Sequence, residues 1–164
     1  MRTKLGIGLL VLLALAIAAL PAASAPSPAG SRGDDDEVEV IRVLATTVQE
    51  ANLDLGEEGD SLGDQFVFSD DLSRHGESVG ILGATCTLVR LDQTSATSQC
   101  LATAELPKGQ IAVHGLITFS EETEDEPFRL AITGGTGRYK EAHGHVTVVT
   151  VSETEERLTF HIIR

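Results

Sequence analysis

The sequence predicts an all-β fold, an antiparallel sandwich or barrel. Eight short segments are rich in Val, Ile, Leu and Thr, and Gly, Asp and Glu separate them at short intervals. No segment has the spacing of apolar residues that a long amphipathic helix needs. The predicted strands are residues 38–46, 64–70, 78–91, 98–106, 110–119, 128–133, 142–151 and 157–163. Eight strands can close into a barrel that holds either packed side chains or one small ligand.

The N-terminal region has the layout of a secretory signal peptide. Arg2 and Lys4 precede an apolar run over residues 9–20, and small residues follow at positions 22–25. We therefore predict a signal peptide over residues 1–25 and a disordered acidic linker over residues 26–36. The barrel domain then spans residues 37–164. Because the apolar run is short for a membrane span, we expect a secreted, extracellular product with no stable membrane insertion.

The charge balance bears on the partners of the protein. The chain has 12 Lys and Arg against 25 Asp and Glu, a formal net charge of −13. Loss of Arg2 and Lys4 with the signal peptide would remove two positive charges and bring this to −15. A strongly acidic surface repels a phosphate backbone, so no nucleic-acid partner is expected.

Two predicted strands are apolar on both faces. In residues 110–119, Ile111, Val113 and Ile117 alternate with Ala112 and Leu116. The last strand shows the same property, because both of its faces carry isoleucine. One face can line the barrel while the other contacts a neighbouring subunit, which predicts a homo-oligomer.

The two cysteines lie fourteen positions apart, on strands that flank a predicted turn at residues 92–97. If this hairpin is centred near Gln93, Cys86 faces Cys100 directly across the two strands. Export would allow the pair to form a disulfide. A free reactive thiol is the alternative interpretation.

Residues 130–145 (LAITGGTGRYKEAHGH) contain a glycine-rich segment that a nucleotide-binding loop could explain. Such a loop needs a helix after it, whose N-terminus holds the phosphates. Residues 142–151 are instead rich in Val and Thr and predict a strand. The glycines are therefore interpreted as a tight connection between two strands, where small residues permit a bend and close backbone approach.

Two short motifs also suggest chemistry. Residues 59–63 (GDSLG) match a serine hydrolase motif, but a strand follows Ser61 where that motif needs a helix. His143 and His145 share one face of a strand, as ligands of one metal ion would, yet no further ligand is evident nearby, so no metal is predicted. These histidines are interpreted either as polar points within an apolar pocket or as an exposed pair on the outer face.

Asp70 follows two phenylalanines at alternate positions of one predicted strand. Phe66, Phe68 and Asp70 occupy alternate positions and so project from the same face of one strand. If the aromatic rings point into the barrel, so does the carboxylate, and apolar walls would raise its pKa. It could then act as an acid, a base or an anchor for a ligand hydroxyl. The alternative is that Asp70 and Asp71 belong to a solvated turn.

Several blocks in succession resemble the allene oxide cyclases and the plant dirigent proteins. They are residues 63–72 (GDQFVFSDDL), 79–81 (VGI) leading to Cys86, 109–115 (GQIAVHG) and 130–137 (LAITGGTG) with Gly144. The resemblance implies the eight-stranded antiparallel lipocalin-like barrel that the two families share. It also implies that the homo-oligomer is a trimer.

The resemblance further implies a function. Allene oxide cyclases confine an unstable fatty-acid epoxide and steer its ring closure without a cofactor, by proximity and preorganised electrostatics. Asp70 corresponds to their water-holding asparagine, Cys86 to a cavity cysteine, and Glu39 is the candidate for a substrate-polarising glutamate. We therefore predict a cofactor-free isomerase or cyclase acting on an apolar small molecule, with Asp70 and Glu39 as catalytic residues. Phe66, Phe68, His143 and His145 are the predicted ligand contacts. A noncatalytic extracellular carrier and a dirigent-like stereocontrol protein are the alternatives.

Overall fold

The computed structural model describes residues 38–123 and 126–163, which form an eight-stranded closed antiparallel barrel. Each strand pairs with the next, and the first pairs with the last. The strands are β1 (Val38–Leu53), β2 (Gln65–Arg74), β3 (Glu77–Leu91), β4 (Ser95–Leu106), β5 (Gly109–Ser120), β6 (Phe128–Gly135), β7 (His143–Ser152) and β8 (Glu155–Ile163). The predicted all-β barrel is confirmed. The predicted signal peptide and linker lie outside the described residues.

The first two strands are longer than their sequence pattern indicates. β1 runs to Leu53 and β2 to Arg74, whereas residues 38–46 and 64–70 were expected. The second half of β1 is largely exposed and has no apolar alternation, which is why the pattern ends early. It remains a strand because it pairs with β2 as far as Leu53, across a register shift between Thr47 and Gln49.

The two ends of the barrel differ. At one end, which we call the closed end, apolar side chains fill the interior and a short 3₁₀ turn (Gly137–Tyr139) follows β6. Tyr139 and Ala142 are buried against this core, which also contains Ile41, Leu72, Leu106, Ile111, Ile132 and Ile162. At the opposite end, which we call the mouth, the described parts of four connections meet: residues 54–64, residues 92–94, residues 121–123 with 126–127, and residues 153–154.

The glycine-rich segment forms the connection at the closed end. Gly135 ends β6, the 3₁₀ turn follows, and β7 begins at His143. A Cβ atom on Gly135 would collide with the carbonyl oxygen of Gln110 and contact the backbone of Tyr139. The predicted role of the glycines, a bend with close backbone approach, is therefore confirmed.

Candidate functional site

The mouth half of the barrel encloses a cavity of about 430 Å³. This volume lies in the range of small-molecule sites in proteins. Its wall is mainly apolar and comes from seven of the strands and from residues 123, 126 and 127 of the connection between β5 and β6. The lining residues include Phe66, Phe68, Leu82, Ala84, Cys86, Cys100, Ala102, Val113, Ile117, Phe128, Leu130, Val146, Val148, Leu158 and Phe160. Three carboxyl groups interrupt this apolar surface: those of Asp70 and Glu156 within the barrel, and that of the exposed Glu126 in the connection between β5 and β6.

The aromatic part of the wall comes from β2. The rings of Phe66 and Phe68 stack with their centroids 5.1 Å apart and their planes 29° from parallel. Because alternate residues of a strand share a face, Asp70 follows them on the same side and also lines the cavity. A flat aromatic ligand can stack on these rings, and the carboxyl group of Asp70 would then lie at the edge of the ligand.

Asp70 is buried and incompletely hydrogen-bonded. Only 3% of its surface is exposed, and Oδ1 has no hydrogen-bond partner among the described residues. Burial raises the pKa of the carboxyl from its ordinary value of 3.8, and a hydrogen bond with the Thr47 side chain partly offsets this rise. An unsatisfied buried oxygen is costly, so the group is suited to contact a ligand.

Glu156 is a second lumenal carboxyl that the sequence pattern did not predict. Burial raises its pKa, and the neighbouring charge of Asp70 raises it further. The two residues lie on either side of β1, because Thr47 pairs with Asp70 on β2 and Ala45 pairs with Glu156 on β8. The charge of one carboxyl group disfavours the charge of the other, so the pair can offer both a protonated acid and an ionised base to a ligand.

Glu39 lies apart from this pair. It belongs to the first residues of β1 and pairs with Ile162 at the closed end of the barrel. Its carboxylate approaches the guanidinium of Arg138 at 3.6 Å. It does not line the cavity, whereas Asp70 does. The position of Glu39 therefore gives no support to its predicted role of polarising a substrate that binds at the mouth.

The two predicted histidine contacts also lie outside the cavity. Val146 and Val148 point inward from β7, which places His143 and His145 on the outer wall. His143 is exposed, and the ring of His145 stacks on that of His161 at 4.6 Å. Burial lowers the pKa of His145, and the nearby charges of His161 and Arg129 lower it further. Of the two interpretations given above, the structure agrees with the outer-face pair.

The predicted disulfide between Cys86 and Cys100 is present. The two residues pair directly across β3 and β4, as a hairpin centred near Gln93 requires. Both cysteines line the cavity, so the bridge forms part of its wall. Cys86 is therefore not the free cavity thiol that the resemblance implied.

The serine motif at residues 59–63 has a structural explanation. The carboxylate of Asp64 accepts hydrogen bonds from the backbone N–H groups of Leu55 and Ser61 and from the Ser61 hydroxyl. These bonds lower the pKa of Asp64 and hold the loop between β1 and β2. Ser61 therefore helps to hold this loop, and its side-chain hydroxyl bonds to Asp64 rather than to a histidine.

Residues 38–123 and 126–163 contain no cluster of three or more His, Cys, Asp or Glu side chains placed to hold a metal ion. Over the same residues, no helix is long and apolar enough to span a bilayer.

The raised pKa values make stability depend on pH. The folded protein keeps the protons of Asp70 and Glu156 to higher pH than the unfolded chain, which releases them near 3.8 and 4.5. Above those values the free energy of unfolding should therefore fall as pH rises, up to the folded pKa values. We expect Asp70→Asn to remove part of this fall, so that its Tm exceeds that of the wild type at neutral pH but not at about pH 3.

Thermal denaturation followed by circular dichroism across this pH range measures the effect. Asp71→Asn is the matched control, because Asp71 is the next residue along β2 and is exposed on the outer wall. Equal Tm changes in the two variants at every pH would contradict the assignment of the buried carboxyl.

The fold and the lumenal site define a class of protein, a closed β-barrel that encloses a small-molecule cavity with a carboxyl pair. Residues 44–163 match the family described as allene oxide cyclase barrel like domain, and the chain belongs to this family. The resemblance seen in the sequence is confirmed. No curated protein matches the chain.

Solved structures with this fold include enzymes of several kinds. A pyocyanin demethylase is 30% identical with a TM-score of 0.67, and the match covers 77% of this chain and 98% of that one. A heme-binding cyclase that catalyses a [4 + 2] cycloaddition in neoabyssomicin biosynthesis is 15% identical with a TM-score of 0.62, covering 79% and 66%. The pterocarpan synthase dirigent protein PsPTS1 is 13% identical with a TM-score of 0.57, covering 78% and 94%. The last two likenesses concern the fold alone.

Proposed function

We propose that the protein binds a flat aromatic small molecule in its lumen and transforms it by proton transfer through Asp70 and Glu156, without a cofactor. The carboxyl pair in an apolar, aromatic-lined cavity is the observation that carries this proposal. Positioned acids and bases of raised pKa are the groups that general acid–base catalysis uses. Such a pair can take a proton from one atom of the ligand and return a proton to another, an isomerisation in which no other bond is broken.

The demethylase supports an aromatic substrate over a fatty-acid epoxide. This protein is 30% identical to the chain over nearly its own whole length, and its name gives pyocyanin, an aromatic compound, as what it acts on. In this chain, the stacked rings of Phe66 and Phe68 offer a matching surface. The proposal therefore keeps the predicted cofactor-free chemistry of the lumen and narrows the apolar ligand to an aromatic one.

The charge at the mouth favours a neutral or cationic ligand. The connections at this end carry exposed carboxylates, among them Asp54, Glu57, Glu58, Asp60, Asp92, Glu121, Glu122 and Glu153. A funnel of one sign raises the local concentration of oppositely charged molecules and repels like charges. A ring with a positively charged nitrogen would be attracted to the mouth and then meet the carboxyl pair.

Binding in the lumen is tested by filling it. Ala102 lines the cavity, so Ala102→Phe should place a ring inside it and abolish binding of pyocyanin and related phenazines, followed by native mass spectrometry and fluorescence quenching. Thr103→Phe is the matched control, because Thr103 is the next residue of β4 and is exposed outside. Failure of the wild type to retain any of these compounds, or equal loss in both variants, would refute the proposal. Retention without turnover would instead support the noncatalytic carrier.

Oligomerisation and secretion are part of the same proposal. The exposed apolar side chains of Ile81 (55%), Leu101 (56%) and Leu116 (64%) on β3, β4 and β5 support the predicted homo-oligomer. The disulfide is consistent with an extracellular protein, because such bonds persist in oxidising compartments.

A further inference from the structure

A groove rich in cationic side chains lies on the outer wall, near the closed end. It has a volume of about 440 Å³ and is bordered by β1, β8 and the turn between β2 and β3. The charged and polar residues that line it are Arg42, Ser73, Arg74, His75 and Arg157. Since the chain as a whole has a formal charge of −13, three arginines in one groove form a local exception.

The register of the strands explains how these side chains come together. Leu44 of β1 pairs with Ser73 on one side and with Arg157 on the other. Arg42 lies two residues before Leu44 and therefore projects from the same outer face. Its own partner on β8 is Thr159, which makes Arg42 and Arg157 diagonal neighbours. Long side chains at diagonal positions are within reach of a common ligand.

The groove arginines form no ion pair within the described part of the chain. The ion pairs found there join Arg90 to Asp92, Arg138 to Glu39 and Lys140 to Glu141, and none involves a groove residue. Three carboxylates lie close by on the strands: Glu77 pairs with Arg74, while Asp71 and Glu155 both pair with Thr46. None of them forms an ion pair with the groove arginines. Like charges gathered without partners repel one another, and a bound anion would offset this repulsion.

The turn between β2 and β3 places His75 beside the arginines of the groove. His75 and Gly76 connect β2 to β3 with φ angles of 53° and 82°. A two-residue hairpin with positive φ at both positions favours Asn-Gly, because Asn tolerates the left-handed region well. Among the described residues, His75 is the one non-glycine with positive φ. The turn therefore carries an imidazole beside the arginines at a position where Asn would suit the backbone.

We propose that this groove binds a small molecule that carries two oxyanion groups, such as a diphosphate or a polycarboxylate. The guanidinium of arginine pairs with phosphate and carboxylate oxygens through two parallel hydrogen bonds. Of the three groove arginines, Arg42 and Arg157 lie on neighbouring strands and can each hold one oxyanion group. Ser73 and His75 supply further hydrogen-bonding groups. The groove is lined by different residues from the lumen, so this site is independent of the proposed lumenal function.

Isothermal titration calorimetry with inorganic pyrophosphate and with citrate at low ionic strength tests this site and distinguishes the two kinds of oxyanion. We expect one of them to bind with one-to-one stoichiometry and more tightly than orthophosphate. Arg42→Gln and Arg157→Gln should each weaken binding about tenfold. His75→Asn preserves the turn and should weaken binding by a smaller factor.

Arg90→Gln is the matched control, because it removes the same charge from an arginine that pairs with Asp92 elsewhere on the surface. Binding should be unchanged in this variant and in Asp70→Asn, which alters only the lumen. Equal weakening by Arg90→Gln and Arg157→Gln would show a general effect of net charge and overturn the proposal. Lack of binding by both pyrophosphate and citrate would overturn it as well.

Discussion

Asp70→Asn is expected to lower the turnover of a bound aromatic substrate by about 100-fold or more, which is the contribution typical of a positioned acid or base. The amide has nearly the same shape as the carboxyl group but cannot act as an acid or a base near neutral pH. Substrate affinity should change far less than kcat, because the stacked phenylalanines and the apolar wall remain. Steady-state kinetics, with kcat and KM determined separately, measures this difference.

Glu156→Gln should produce a loss of similar size. If the two groups share one proton, the double variant should be little worse than either single one, because each substitution already disables the pair. Asp71→Asn again serves as the control, since its side chain is exposed on the outer wall. Unchanged kcat in both Asp70→Asn and Glu156→Gln would show that the carboxyl pair has no role in the chemistry.

Removal of the disulfide, by Cys86→Ala together with Cys100→Ala, is expected to lower the free energy of unfolding by about 3 kcal/mol. The bridge closes a loop with a sequence separation of 14 residues and restricts the unfolded chain. Because both cysteines line the cavity, the variant also loses part of the lumenal wall. Urea unfolding followed by circular dichroism gives the free energy.

A second measurement separates the effect of the cross-link from that of packing. Reduction of the wild-type protein breaks the bridge but keeps both sulfur atoms in the wall. The reduced wild type should therefore show most of the expected decrease of about 3 kcal/mol in the free energy of unfolding. Unfolding curves that coincide for the oxidised wild type, the reduced wild type and the double variant would contradict a stabilising role.

The strands were predictable because successive side chains of a barrel strand point alternately into the barrel and out of it. Alternation placed Phe66, Phe68 and Asp70 on one face, and the structure puts all three in the cavity wall. The same rule reaches Glu156, two positions before Leu158. That residue was missed because β8 was predicted to begin at Arg157, so the alternation was not followed one step further.

The histidines and Glu39 show where alternation alone is insufficient. A spacing of two residues states that His143 and His145 share a face but not which face. The apolar Val146 and Val148 carried that signal, since they mark the inward positions of β7. Glu39 does share the inward parity of Ile41, but the depth of a residue along the barrel depends on strand register, which no local pattern reveals.

The pairing of β1 with β8 has a consequence for how the chain folds. β1 begins at Val38 and its partner ends at Ile163, so the last ladder joins residues that are far apart in sequence. Contacts of this kind make folding slow, because the entropy of closing a long loop is lost before the ladder forms. During synthesis the barrel therefore stays an open sheet with two unpaired edges until its final strand arrives. A chain truncated before Glu155 should keep those edges and aggregate by strand pairing.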